Sequence, residues 1–249
     1  MLQPRFLNLG DRALTLEFGE TIDQQLVSAV SALDVRLTRE ITAGRLNGVI
    51  ETVPTFRSLT VIFDPLVLSR TELQDRLIAV LSETEASVQQ SARHWCLPVC
   101  YGEDYGPDLE SAAASLGLTE EKVIDLHVSQ TYLVYMIGFL PGFPYMGDVD
   151  PALYLPRHTE PRVRVPVGSV AITGQQTAIY PWESPGGWQL LGRCPLALFD
   201  AQRSEPALLG PGDRVDFQSI SEAHYQELAE AMQAGSLDFS QFLLQEINA

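Results

Sequence analysis

Residues 162–199 read RVRVPVGSVAITGQQTAIYPWESPGGWQLLGRCPLALF. Glycine and proline interrupt this stretch too often for a helix. What lies between them is short and β-rich: 162–165, 169–173, 177–180, 188–191 and 197–199 read as strands. The texture continues on both sides, with 132–139 before and 215–217 after. Many short strands between frequent turns predict a barrel or a sandwich. A helical patch precedes them at about 108–127, broken at Gly117 and restarted with Thr119 as its N-cap. From Ser221 the apolar spacing turns helical again (Leu228, Met232, then Phe242 and Leu243), so 221–249 is expected as a C-terminal helical tail.

Upstream the pattern changes. Residues 5–8 and 13–18 flank Leu9-Gly10-Asp11-Arg12 as a hairpin with a Gly-Asp turn. Ile22, Leu26, Val30, Leu33, Leu37 and Ile41 recur at helical spacing until Gly44 and Gly48. Residues 49–53 and 59–63 form a second strand pair around Pro54-Thr55-Phe56-Arg57, closed by Asp64-Pro65. Ser69 and Glu72 make a capping-box start for a helix with Leu73, Leu77, Val80 and Leu81 inside. Two strands and a helix, twice over, predict a small α+β layer domain over 1–86. The polar stretch 83–93 marks the boundary, and 94–220 is the β-rich domain.

The formal net charge is −16, with 16 basic residues that form no run. Phosphate backbones need clustered Lys and Arg, so nucleic acid is excluded as the main partner. A small anion is compatible, since a few placed arginines act locally. The N-terminal residues show no secretory pattern, and the longest apolar run, 132–140, is too short to span a bilayer. Cys96, Cys100 and Cys194 are odd in number and lack a second ligand pair, so they read as buried thiols of a reducing compartment rather than a metal site.

Chemistry concentrates in a few places. Residues 138–147, GFLPGFPYMG, hold three Gly, two Pro and three aromatics. They read either as a ligand-binding loop or as a rigid turn capping the barrel. Ser184-Pro185-Gly186-Gly187-Trp188 reads as a backbone-approach site or a tight hairpin. Arg157, Arg162 and Arg164 cluster, and on a strand Arg162 and Arg164 share a face. They fit an anion clamp or ion pairs with neighbouring carboxylates. His127, near a helix end, is a cap or an acid/base. His94, His158 and His224 show no companions that suggest a metal site or a nucleophile triad, and no phosphate-binding loop or serine-hydrolase elbow is present.

The motifs together resemble the allophanate hydrolase subunit 1 family, which includes the B component of 5-oxoprolinase and a sporulation-kinase inhibitor. The resemblance is carried by Tyr101-Gly102, Gly106-Pro107-Asp108-Leu109, 138–145, Pro161-Arg162, 165–170, Gln176-Thr177 and 184–188, and runs to Pro211-Gly212-Asp213. Cys194 and Ala178 depart from it, where relatives carry Thr and Gly. It implies an α+β N-terminal domain followed by a cyclophilin-like β-barrel. It implies a cytoplasmic ATP-dependent 5-oxoprolinase subunit, inactive alone, with Mg-ATP used in the assembled complex. Its partners would be a larger carboxyltransferase-like subunit and a third oxoprolinase subunit. The alternatives are a sensor-histidine-kinase inhibitor and a component of an allophanate or urea-pathway carboxyltransferase. On this footing the expected catalytic residues are His127 and Arg162. The expected substrate contacts are Phe139, Pro141, Gly142, Phe143, Tyr145, Arg164, Gln176, Ser184, Gly186, Gly187 and Trp188. Arg162 would supply charge, the loop aromatics would pack on the ring, and the Gly186-Gly187 backbone would hydrogen-bond.

Overall fold

The computed structural model describes residues 4–82 and 92–247, so most of the expected boundary segment 83–93 lies outside the described residues. The chain divides into two compact units, Met1–Gln90 and Ser91–Asn248.

The first unit runs β1 (Arg5–Leu9), β2 (Ala13–Glu17), α1 (Gln24–Thr42), β3 (Val49–Pro54), β4 (Ser58–Phe63) and α2 (Arg70–Ser82). Its antiparallel sheet has the order β1-β2-β4-β3. Strand alternation puts Leu14, Leu16, Leu59, Val61 and Phe63 on one buried face. Leu26, Val30, Leu33 and Leu37 of α1 and Leu73 and Leu77 of α2 close the same core. Fully burying each such side chain contributes about 1.5–3 kcal/mol. The caps are those the sequence predicts for α2, where the Ser69 hydroxyl accepts the Glu72 amide at 3.3 Å. Asp23 caps α1 by accepting from the amides of Gln25 (2.8 Å) and Leu26 (3.4 Å).

The second unit runs β5 (Ala92–Tyr101), α3 (Leu109–Leu116), α4 (Glu120–Val128), β6 (Thr131–Ile137), β7 (Pro144–Gly147), β8 (Arg162–Val165), β9 (Ser169–Thr173) and β10 (Gln176–Ile179). It continues with β11 (Ser184–Gly186), β12 (Gln189–Arg193), β13 (Arg214–Ser219), α5 (Glu222–Gln233) and β14 (Leu243–Ile247). Seven strands in the order β12-β9-β10-β7-β6-β13-β5 close into a barrel when β12 pairs with β5. The expected closed barrel is therefore present. Its inward residues include Leu97, Val99, Tyr132, Val134, Met146, Val170, Ile172, Ile179, Leu191 and Val215, joined by Leu109, Ala112 and Val123 of the helices. β8 and β11 form a separate two-stranded sheet.

Three elements differ from expectation. β5 carries no strand pattern in the sequence, because Pro98 and the polar Arg93-His94 break its alternation, yet it pairs in parallel with β13 along six residues. Residues 197–199 make only an isolated bridge, Phe199 to Ala207. The tail 221–249 is helical only through α5. Gly235 then turns the chain at φ +66°, and β14 adds to the outer edge of β5.

Candidate functional site on the outer face of the barrel

Directly opposed residues of paired strands share a face. Leu190 of β12 faces Ala171 of β9, which faces Ala178 of β10, which faces Tyr145 of β7. This row lies on the opposite side of the strands from the barrel interior. It forms a second apolar cluster with Phe143, Val165, Tyr180 and Trp188. Ring centroids are 4.8 Å apart for Phe143–Tyr145, 5.1 Å for Phe143–Tyr180 and 6.0 Å for both Phe143–Trp188 and Tyr145–Trp188. The 138–147 loop and the 184–188 motif thus converge on one place.

The rigid-turn reading of the loop accounts for part of its residues. Phe143, Tyr180 and Trp188 are buried and serve as packing. Phe139, 64% exposed, and half-buried Tyr145 are the rings left towards solvent. The turn is rigid for visible reasons. Gly142 sits at φ +78°, and a Cβ there would come within 2.7 Å of the Phe199 Cβ. The Pro141 carbonyl accepts from Trp182 Nε1 at 3.0 Å. Gly186 has a similar constraint, because a Cβ would stand 2.4 Å from the Tyr180 hydroxyl. That hydroxyl accepts the Trp188 amide, and burial pushes its pKa up to about 12. The Gly187 carbonyl is already taken by the His158 amide at 2.7 Å, so only part of the expected glycine backbone is open to a ligand.

The arginine clamp is not free. Arg164 makes a two-pronged ion pair with Glu183 at 3.0 and 2.8 Å. Arg162 is tied to Asp108. Asp108 occupies the N-cap position of α3 without capping it. Its carboxylate is 4% exposed and turns instead to the Leu190 amide (2.7 Å), Arg162 and His158 Nε2 (3.3 Å). No local window of sequence contains this three-donor hub, because each donor lies 50 or more residues from Asp108. The only local hint is an Asp before a helix, which ordinarily means a cap. His158 therefore has a carboxylate companion, as His94 has in Asp216 and His224 in Glu227. Among the described residues nothing bonds its Nδ1.

His127 is corrected. It is fully buried in the barrel interior, stacked on Phe217 at 4.7 Å. Nδ1 meets the Tyr101 hydroxyl at 2.7 Å and Nε2 the Thr177 hydroxyl at 3.0 Å. The Thr177 proton goes to the Ala171 carbonyl at 3.1 Å, so Nε2 is the ring nitrogen that donates and Nδ1 accepts. Burial drives its pKa down to about 3. It is a fully buried, neutral core residue.

Gln176 shares the outer side of β10 with Ala178, Ser184 lies in β11, and they are 8% and 7% exposed. Gln176 Nε2 and Ser184 Oγ are buried without a hydrogen-bond partner. They are two of eight buried side-chain polar atoms without a partner among the described residues. Among the described residues, no three His, Cys, Asp or Glu are grouped to hold a metal ion.

The family model for the carboxyltransferase domain, subdomain C and D, matches residues 4–209. The B component of 5-oxoprolinase from Bacillus subtilis (strain 168) is 39% identical over 236 residues, 89% of this chain and 95% of that protein. The crystal structure of TTHA0988 superposes with a TM-score of 0.74 at 40% identity, over 84% of this chain and 40% of that one. The chain thus spans about two-fifths of the length of that solved protein. The K. lactis urea amidolyase structure, at 23% identity, shares the fold over 96% of this chain and 16% of its own, with a TM-score of 0.76.

Proposed function

We propose that this chain, which belongs to the carboxyltransferase-domain family of subdomains C and D, is the B component of an ATP-dependent 5-oxoprolinase. It acts with partner subunits in opening 5-oxo-L-proline to L-glutamate. The observation that carries this reading is the 39% identity to a 5-oxoprolinase B component across 95% of that protein, which leaves little of the relative unmatched.

The chemistry explains the need for a complex. A γ-lactam is a poor electrophile, and phosphorylating its oxygen turns it into a leaving group. This chain has no phosphate-binding loop, so the reading gives Mg-ATP to the assembly rather than to this barrel alone. The partners are a larger carboxyltransferase-like subunit and a third oxoprolinase subunit. A solved relative in which the matched region is two-fifths of one longer chain supports such a neighbour. The outer barrel face, with Tyr145, Gln176 and Trp188, holds the small-molecule ligand. Cys96, Cys100 and Cys194 are free thiols, which is compatible with a cytoplasmic enzyme. No helix among the described residues is long and apolar enough to cross a membrane.

The test is glutamate release from 5-oxoproline and ATP by the chain alone, by the partners alone and by the full mixture. Release only from the full mixture is expected. No turnover in a mixture whose assembly is verified overturns the reading.

A further inference from the structure

The outer face of the barrel carries several cations, and carboxylates already hold two of them: Arg162 on Asp108 and Arg164 on Glu183. Arg157 differs. Its side chain is exposed, and no carboxylate pairs with it among the described residues. Its guanidinium carbon stands 5.8 Å from the centre of the Trp188 ring. Its charge is felt at the Tyr145 and Tyr180 hydroxyls, where it works against the desolvation that pushes both upward. In a chain with net charge −16, an uncompensated cation beside an aromatic wall stands out.

Gln176 borders the same patch. It shares the outer side of β10 with Ala178, which is opposed to Tyr145, and the Tyr145 ring lies 6.0 Å from that of Trp188. Ala171 and Ala178 keep the strands beneath free of bulk. The Gln176 amide nitrogen is buried without a partner, although the residue is only 8% exposed. Whichever way the amide is turned, a polar atom is left over.

We infer that Arg157 and Gln176 are the two polar anchors for a small cyclic amide bearing a carboxylate. Arg157 takes the carboxylate and the Gln176 amide donates to the ring carbonyl oxygen, while Tyr145 and Trp188 border the ring. The assignment rests on the oxoprolinase reading only for the identity of the ligand, 5-oxoproline. It also moves the anion-binding role from Arg162 to Arg157.

The test is calorimetric titration of the full chain with 5-oxoproline, with 2-pyrrolidinone, which lacks the carboxylate, and with proline, which lacks the ring carbonyl. Wild type is expected to bind 5-oxoproline at least about tenfold more tightly than either analogue, as one charge-assisted contact supplies. Arg157→Gln should weaken 5-oxoproline about ten- to hundredfold and leave 2-pyrrolidinone unchanged, with Arg157→Lys recovering part of the loss. Gln176→Ala should weaken 5-oxoproline about fivefold or more and bring it towards proline. Melting curves of each variant report whether the fold is intact. Equal affinity for 5-oxoproline and 2-pyrrolidinone, no binding at millimolar concentration, or an unchanged Arg157→Gln overturns the proposal. If the binding pattern holds while a verified assembly releases no glutamate, the oxoprolinase reading falls and the anchors stand. If the assembly turns over and Arg157→Gln leaves its KM unchanged, the anchors fall and the reading stands.

Discussion

Replacing Asp108 with alanine removes one carboxylate and strands three donors. The Leu190 amide, 2.7 Å away, becomes a buried N–H without an acceptor, which costs about 1–3 kcal/mol. Arg162 loses its ion pair. Its side chain is 30% exposed, so water recovers part of that loss, and about 1–2 kcal/mol is a fair share rather than the full penalty of a buried charge. His158, also 30% exposed at its side chain, adds little. The sum is about 3 kcal/mol, or about 6–12 °C in the melting of the second unit. The assay is urea unfolding followed by tryptophan fluorescence. All three tryptophans, Trp95, Trp182 and Trp188, belong to the barrel unit, so the signal reports on that unit alone. Asp108→Asn keeps an acceptor for Leu190 and should lose about half as much. Arg162→Met should be non-additive with Asp108→Ala by at least about 1 kcal/mol. Additivity, or a loss below about 1 kcal/mol for Asp108→Ala, would refute the hub. The same geometry changes what to expect of Arg162→Ala. An arginine that served only the ligand would lose activity and keep stability, whereas this one should lose both.

His127 predicts a pH dependence. Its folded pKa of about 3 lies below the unfolded value near 6.5, so the unfolded chain binds the proton first. Its contribution is fully present above about pH 6.5 and declines as pH falls to about 3, by up to about 1.4 kcal/mol per unit. Urea midpoints measured from pH 4 to 7 should show a shallower slope in His127→Gln than in wild type, and parallel curves would contradict the burial argument. Gly186→Ala should destabilise the barrel by about 2 kcal/mol, because its Cβ meets the Tyr180 hydroxyl at 2.4 Å. In a Tyr180→Phe background part of that loss should vanish in the same unfolding assay, because ring carbons at 2.9 and 3.0 Å remain; an undiminished loss would place the strain elsewhere.

The layer pattern was legible because each element follows a simple period. α1 shows its buried face in Leu26, Val30, Leu33 and Leu37, and β4 alternates through Leu59, Val61 and Phe63. Composition marked 138–147 and 184–188 as special, and both contribute to one face. What stayed hidden depends on contacts that no local window contains. β5 is a strand only because β13 and β12 lie on either side of it. Asp108 looks like a helix cap until its carboxylate is seen on Leu190, Arg162 and His158. Arg162 and Arg157 are indistinguishable as letters, and only the carboxylate beside one of them separates their roles.

A single strand shows how the core and the outer face are kept apart. Along β10, Thr177 and Ile179 turn inward, and Thr177 there fixes the tautomer of His127. Gln176 and Ala178 turn outward to the aromatic patch. The two-residue period of a strand therefore places the His127 contact and the outward-facing Gln176 on adjacent residues, facing opposite surroundings. A one-residue slip of β10 would bury Gln176 in the apolar interior and expose Ile179, so the barrel core itself enforces the register of the outer site. The Gln176-Thr177 pair looks like one motif in the sequence for that reason. Its two residues face opposite ways, Thr177 inward to the His127 ring and Gln176 outward with a buried, unpartnered amide nitrogen.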